Sequence, residues 1–134
     1  MGASPAQAAG ENWKVYSTHF SPKGYDLPLR YGRHDNTAGH TTGFGAYHID
    51  DRNHRLGVIS WSDFKDDIDQ VLDSPSTKCS KNGTKWECVS KLSSGVSQFG
   101  NMKVVYTHSD SGTPDGRPKG IITAFYLHDC GCLK

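Results

Sequence analysis

The organisation of this chain is decided by residues 43–54, which read Gly-Phe-Gly-Ala-Tyr-His-Ile-Asp-Asp-Arg-Asn-His. Two glycines lead into a segment that can form a helix, and Ile49 can anchor that segment to a core. His48 and Arg52 are four residues apart, so on a helix they share one face. His54 lies just past the expected helix end. Two imidazoles and a guanidinium within seven residues can exchange protons and hold a phosphate.

The composition is that of one small, loop-rich domain with a modest core. The chain has 134 residues, of which 34% are hydrophobic, 15 are glycine and 6 are proline. The net charge of +1 excludes a protein that holds nucleic acid by its overall charge. A local basic patch can still bind a polyanion, and protonation of some of the seven histidines strengthens such binding at mildly acidic pH.

The first residues predict a disordered leader or linker remnant over 1–12, followed by a single catalytic domain over 13–134. Ala6-Gln7-Ala8 fits the small-x-small pattern of a signal cleavage site, although the charged and apolar parts of a signal are missing. No apolar run approaches the roughly 20 residues of a membrane helix, so no membrane span is expected. The interpretation is an exported protein.

Four cysteines predict two disulfides in an exported domain. Cys79 and Cys88 flank an Asn82-Gly83 hairpin turn, so a bridge across that hairpin is the simplest pairing. The pairing of Cys79 with Cys130 and of Cys88 with Cys132 stays open. A zinc site is the weaker alternative, because Cys130 and Cys132 are separated by one residue, whereas structural zinc sites use two to four.

Hydrophobic periodicity predicts helices early in the chain and strands late, hence an α+β fold with an antiparallel sheet. The clearest helix runs over 62–72, with Ser62 as its N-cap and one apolar face. A connector is expected over 56–61, and Trp13 to Phe20 is either a short strand or a helix. Arg30 enters the interior on a short extended segment. The strand candidates, rich in β-branched and aromatic residues, are 86–92, 103–108 and 120–128.

Several of these motifs together resemble a known group of enzymes. They are Arg30-Tyr31-Gly32, the Gly-Phe-Gly-x-x-His-Ile-x-x-Arg-x-His segment, an amphipathic helix and a final Gly-Ile-Ile-Thr-Ala-Phe-Tyr strand. In this order they resemble the barnase/EndoU/colicin/RelE-like superfamily of small ribonucleases, especially the C-terminal toxin domains of bacterial polymorphic and contact-dependent systems. The resemblance implies N-terminal helices packed on a four- to five-stranded antiparallel sheet. It also implies RNA cleavage on that sheet, with His48, Thr123 and Tyr126 as carried-over site positions.

Metal-independent RNA cleavage needs a base for the 2′-hydroxyl, an acid for the leaving oxygen and cations for the developing charge, with neither metal nor cofactor. The residues predicted to be catalytic are His48, Arg30, Arg52, Thr123, His54 and Tyr126. Those predicted to bind substrate are Tyr106, His108, Arg117 and Lys119. Thr123 and Tyr126, three apart on a strand, point to opposite faces, which makes Thr123 the first choice.

Structural roles are the alternatives at several of these positions. Arg30 can serve only as the ion-pair partner of a helix aspartate, and His54 only as a cap of the helix end. His34, His40 and His19 are interpreted as solvated loop residues. Thr123 can be a strand former without a chemical role.

Two other functions stay open at this stage: a toxin with different chemistry, such as an ADP-ribosyltransferase, and a secreted binding or metal module. A ribonuclease toxin implies an RNA substrate, possibly transfer RNA, and an acidic immunity protein as partner. It also implies a monomer that is secreted or delivered into a target cell and acts in the target cytoplasm.

Overall fold

The structure is a computed structural model that describes residues 12–33, 43–52, 54, 55, 57, 59–92 and 100–127. The leader expected over 1–12 lies outside the described residues except for its last position. The expectations for His34, His40, Cys130 and Cys132 also lie outside them.

The described residues form a small α+β domain with two antiparallel sheets, as the sequence pattern predicts in outline. A two-stranded sheet pairs β1 with β2, and a four-stranded sheet has the order β3-β4-β5-β6. The helices are α1 and α2. The bounds are β1 Val15–Phe20, β2 Asp26–Arg30, α1 Gly45–Asp51, α2 Trp61–Asp73, β3 Lys78–Asn82, β4 Lys85–Lys91, β5 Asn101–Thr107 and β6 Gly120–Leu127.

The expected order of elements, with the helices first, needs correction. The β1–β2 hairpin precedes both α1 and α2, so these helices lie in the middle of the sequence. Within the segment 13–20, whose pattern allows either a strand or a helix, Val15–Phe20 is a strand, β1, which pairs with β2 from Val15 opposite Arg30 to Phe20 opposite Asp26. Pairing with β2, rather than local propensity, decides the conformation of this segment. The expectation that His19 is a solvated loop residue is wrong, because it lies buried on β1 and bonds to Asp69 at 2.6 Å.

The long helix α2 begins before the expected N-cap. Ser60 is the N-cap, and its hydroxyl accepts a hydrogen bond from the Asp63 amide at 3.1 Å. Trp61 is consequently part of the first helical turn rather than of a connector, and its ring packs edge-on against that of Tyr16. The apolar face expected for this helix is confirmed, because its four apolar members are all buried. They are Phe64, Ile68, Val71 and Leu72.

Helix α2 covers one face of the four-stranded sheet, whereas the other face is covered only in part, where Phe44 packs on Val105 and Ile122. Helix α2 packs on the face that carries Cys88, Val104, Ala124 and Tyr126, all of them buried in the main core. The alternate positions of β4, β5 and β6 are mostly only partly buried. We call their side the open face, and it is defined by Glu87, Val89, Lys103, Thr123 and Phe125.

The expected disulfide across the β3–β4 hairpin is present. Cys79 and Cys88 lie directly opposite each other in the strand register and are bonded. This bond excludes the alternative pairing of these two residues with Cys130 and Cys132. Neither helix of the described residues is long and apolar enough to span a membrane.

Candidate functional site

Helix α1 and the turn after it bring two histidines together. The helix begins immediately after Phe44, and the buried Ile49 holds it to the core. Arg52 caps its C-terminus. The backbone amide of His54 then donates to the Ile49 carbonyl at 2.9 Å, which turns the chain back over the helix. As a result the imidazole rings of His48 and His54 lie 5.8 Å apart between centroids.

The histidine pair lies at the open face of the sheet. The His54 ring is tilted over Phe125 of β6, with a centroid distance of 5.3 Å. Phe125 is partly exposed and lies opposite Lys103 of β5, whose ammonium is 5.9 Å from the centroid of the same ring. Two imidazoles, one aromatic ring and one cation are therefore in contact along a single surface.

The electrostatic surroundings keep His54 neutral. Burial lowers the pKa of His54 to about 4, with smaller contributions from the positive charges of His48 and Arg52. At neutral pH this ring is unprotonated, so one of its nitrogens can accept a proton. An approaching anion counters the repulsion from the neighbouring cations and raises the proton affinity of the ring.

An ion pair forms the other side of the site. Lys103 donates to Glu87 at 3.2 Å, and the two side chains are buried to a similar degree. Hydrogen bonds from Asn82 and Lys103 lower the pKa of Glu87, so this carboxylate is ionised at neutral pH. Glu87 therefore orients the ammonium of Lys103, but it also offsets part of its positive charge.

Thr123 lies on the same face of β6 as Phe125. It is two residues before Phe125 on β6 and opposite Val105 of β5. Its hydroxyl is buried and has no hydrogen-bond partner within the part of the chain that the structure describes. A buried hydroxyl without a hydrogen-bond partner destabilises the fold, and because solvent does not reach this oxygen, a substrate phosphate does not reach it either.

Arg30 is placed in the interior, away from the histidines. Its guanidinium is fully buried and forms a two-pronged ion pair with Asp115, each N–O distance being 2.9 Å. It also donates to the backbone carbonyls of Trp13, Arg117 and Pro118. The interior position agrees with the sequence prediction, but the partner lies in the 109–119 loop rather than on a helix. Arg30 therefore holds the fold together and is not accessible to a substrate.

Tyr126 is likewise on the covered side of the sheet. Its hydroxyl donates to Asp67 of α2 at 2.6 Å, and only 4% of the residue is exposed. Burial and the Asp67 carboxylate raise the pKa of Tyr126 far above its usual range. The proton of this hydroxyl is thus used to tie β6 to α2, and we leave Tyr126 out of the site.

Of the four residues expected to bind substrate, Tyr106 and His108 lie together, whereas Arg117 and Lys119 lie elsewhere. Tyr106 is buried in the main core, and His108 packs edge-on against Tyr106 and Tyr25. Arg117 forms a two-pronged ion pair with Asp26 at 2.8 Å. Lys119 alone lies near the open face, where its ammonium is 4.5 Å from the centroid of the Phe44 ring.

The structure adds three residues to the site that the sequence interpretation did not select: Phe125, Lys103 and Glu87. They belong to three different strands and meet only through strand pairing. Alternation along β6 does indicate that Thr123 and Phe125 share a face. The sequence does not reveal the strand register, which places Phe125 opposite Lys103.

Comparisons with known proteins give no further assignment. The chain matches no protein-family model, and no curated protein or solved structure is detectably similar to it.

Proposed function

We propose that this protein is a metal-independent endoribonuclease that acts as a toxin. The observation that carries the proposal is the His48–His54 pair, with ring centroids 5.8 Å apart, in contact with Phe125 on the open face of an antiparallel sheet. A pair of imidazoles can act as base and acid in the same reaction. The motifs that resemble the barnase/EndoU/colicin/RelE-like superfamily support the same chemistry.

The reaction needs two proton transfers at one phosphate. His54, neutral at physiological pH, accepts the proton of the ribose 2′-hydroxyl, and the 2′-oxygen attacks the neighbouring phosphorus. His48 in its protonated form gives a proton to the leaving 5′-oxygen as the bond from phosphorus to that oxygen breaks. The products are a 2′,3′-cyclic phosphate and a free 5′-hydroxyl.

The other residues of the site stabilise charge and position the substrate. Arg52 and Lys103 lie beside the histidines and face the phosphate, whose negative charge grows in the transition state. Phe125 offers a ring on which an unpaired base can stack.

The fold fits this class of toxin. Helix α2 covers one face of the four-stranded antiparallel sheet, as the superfamily resemblance leads us to expect, although a β-hairpin precedes α1 and α2. We further propose that an acidic immunity protein covers the open face, that the toxin is a monomer, and that it is secreted or delivered and acts in the cytoplasm of a target cell. A pull-down from the native host that recovers no tight acidic partner would contradict the immunity protein.

The test is cleavage of total RNA and transfer RNA in EDTA. We expect His54→Ala and His48→Ala each to lower the rate by about 10²–10⁴-fold, the usual contribution of a general acid or base. His108→Gln is the matched control, because His108 packs against Tyr25 and Tyr106 rather than against Phe125. Its rate should remain that of the wild type.

The products and the folded state complete the test. Fragments ending in a 2′,3′-cyclic phosphate support the proposed attack by the 2′-hydroxyl. Circular dichroism of each variant checks that a lost rate is not a lost fold. Folded wild-type protein that cuts no RNA would overturn the proposal and favour another toxin chemistry or a binding module.

A further inference from the structure

A second group of cations lies on the open face, away from the histidines. The ammonium of Lys119 is 4.5 Å from the centroid of the Phe44 ring, and the guanidinium of Arg33 is 6.0 Å from the same ring. Phe44 is 1% exposed and packs with Val105 and Ile122. One buried ring thus lies within the distance of a cation–π interaction from both cations.

A third cation joins them from the β3–β4 hairpin. The hydroxyl of Thr107 donates to the Thr84 carbonyl at 2.7 Å, which ties the hairpin turn and the adjacent Lys85 to the end of β5. Burial and the positive charges of Arg33 and Lys85 lower the pKa of Lys119. Like charges held together repel each other, and a bound anion relieves that repulsion.

The spacing between the two groups suits a nucleic-acid strand. Lys119 directly precedes Gly120, which lies opposite Thr107, and Thr107 is four residues from Lys103, which lies opposite Phe125. Four residues of a strand span about 13 Å. An extended nucleic-acid strand carries one phosphate at every nucleotide, so a strand lying across the open face can present phosphates to both groups.

We propose that Lys119, Arg33 and Lys85 form a second phosphate subsite, which binds a further phosphate of the same single-stranded RNA, beyond the scissile one. The identity of the scissile phosphate rests on the proposed function. The subsite makes the substrate an oligonucleotide with at least two phosphates, and a dinucleoside monophosphate cannot use it. A single strand is favoured because its bases are free to stack on Phe125.

The first test measures binding without cleavage. The probe is a fluorescein-labelled single-stranded 2′-deoxyoligonucleotide of about eight nucleotides, which lacks the attacking hydroxyl and fits the usual size of such sites. We expect Lys119→Gln to weaken binding about 5- to 10-fold. The slope of the logarithm of the affinity against the logarithm of the salt concentration should become shallower by about 0.7, the value for the loss of one phosphate contact.

The matched control is Lys65→Gln. The ammonium of Lys65 also lies over an aromatic ring, that of Tyr16 at 4.7 Å, but Lys65 is on α2, which packs on the opposite side of the sheet. Its removal should leave the affinity unchanged. Equal losses in the two variants, or none in Lys119→Gln, would overturn the subsite.

The second test separates the subsite from the catalytic proposal. In wild-type protein we expect kcat/KM for an oligoribonucleotide to exceed kcat/KM for a dinucleoside monophosphate. The ratio of these two kcat/KM values should be about tenfold lower in Lys119→Gln. Binding that depends on Lys119 in a protein that cuts no RNA would support the anion subsite and reject the nuclease. Cleavage with the same ratio in both proteins would reject the subsite and leave the nuclease standing.

Discussion

His54 links the chemistry of the site to the stability of the fold. A free histidine has a pKa of about 6.5, whereas burial and two neighbouring cations lower that of His54 to about 4. Between these two values the unfolded chain binds a proton at this position that the folded protein does not. The free energy of unfolding therefore falls as the pH falls from about 6.5 towards 4.

The variant His54→Gln should remove this acid sensitivity. The ring is only half-buried, so solvent reduces the full effect to about 1–2 kcal/mol. We expect urea unfolding to show a larger loss of stability between pH 7.5 and pH 4.5 in the wild type than in the variant, by that amount. An identical loss in the two proteins would show that the folded-state pKa of His54 is not depressed.

Sequence reasoning locates the histidine pair because the residues are close along the chain. His48 and His54 are six positions apart, so one helix end suffices to bring them together. The interior position of Arg30 is also predictable, but its role depends on Asp115, 85 positions away. Residue type alone does not distinguish a guanidinium that binds phosphate from one that binds a distant carboxylate.

At the scale of elements, β3 is the part of the sheet with the least support. All five of its residues are exposed, and among the strands of the described residues it pairs with β4 alone. Its attachment therefore depends on ladder hydrogen bonds and on the disulfide between Cys79 and Cys88. Closing a loop of this size, with a sequence separation of 9 between the cysteines, stabilises a fold by about 2–3 kcal/mol.

Removal of the disulfide should loosen β3 before the rest of the sheet. In the double variant Cys79→Ser, Cys88→Ala we expect a loss of about 2–3 kcal/mol in urea unfolding. Alanine replaces Cys88 because this position is fully buried, and a serine hydroxyl there would be removed from water at a cost in stability. Native-state hydrogen exchange should speed up in β3 and stay slow in β5 and β6. Uniform acceleration in all strands would contradict this.

The types of the elements follow from the sequence more reliably than their limits and pairing. The apolar face of α2 is visible as a repeat, but two nearby serines compete as N-cap, and only the structure selects Ser60 over Ser62. Alternation along β6 separates Thr123 and Phe125 from Ala124 and Tyr126. It does not say which pair faces the core, because the answer depends on where α2 packs.

At the scale of the whole molecule, the two sheets meet at Gly120. Its φ is +84°, in the region that side chains rarely adopt, and a Cβ there would lie 2.1 Å from the carbonyl oxygen of Pro28 in β2. The start of β6 thus touches the backbone of the first hairpin. That hairpin carries Arg30, so this contact helps to position the interior ion pair as well.

Gly120→Ala should therefore be far more costly than the same change at a glycine in open space. We expect a loss of about 3 kcal/mol or more, from backbone strain plus the displacement of β2. Gly112→Ala is the matched control, because Gly112 has a similar φ of +80° and no heavy atom lies within 4 Å of the place that an added methyl group would take. Its cost should be about 1–2 kcal/mol, the strain alone. Equal melting temperatures for the two variants would contradict a close contact between the sheets.

The one-sided sheet also bears on how such a protein can change over generations. In β6 the even-numbered positions Ala124 and Tyr126 hold the core, while the odd-numbered positions Thr123 and Phe125 face outward. A substitution at Thr123 or Phe125 therefore changes the surface of the sheet without removing a member of the main core. These outward positions can consequently vary without disturbing the inward positions Ala124 and Tyr126.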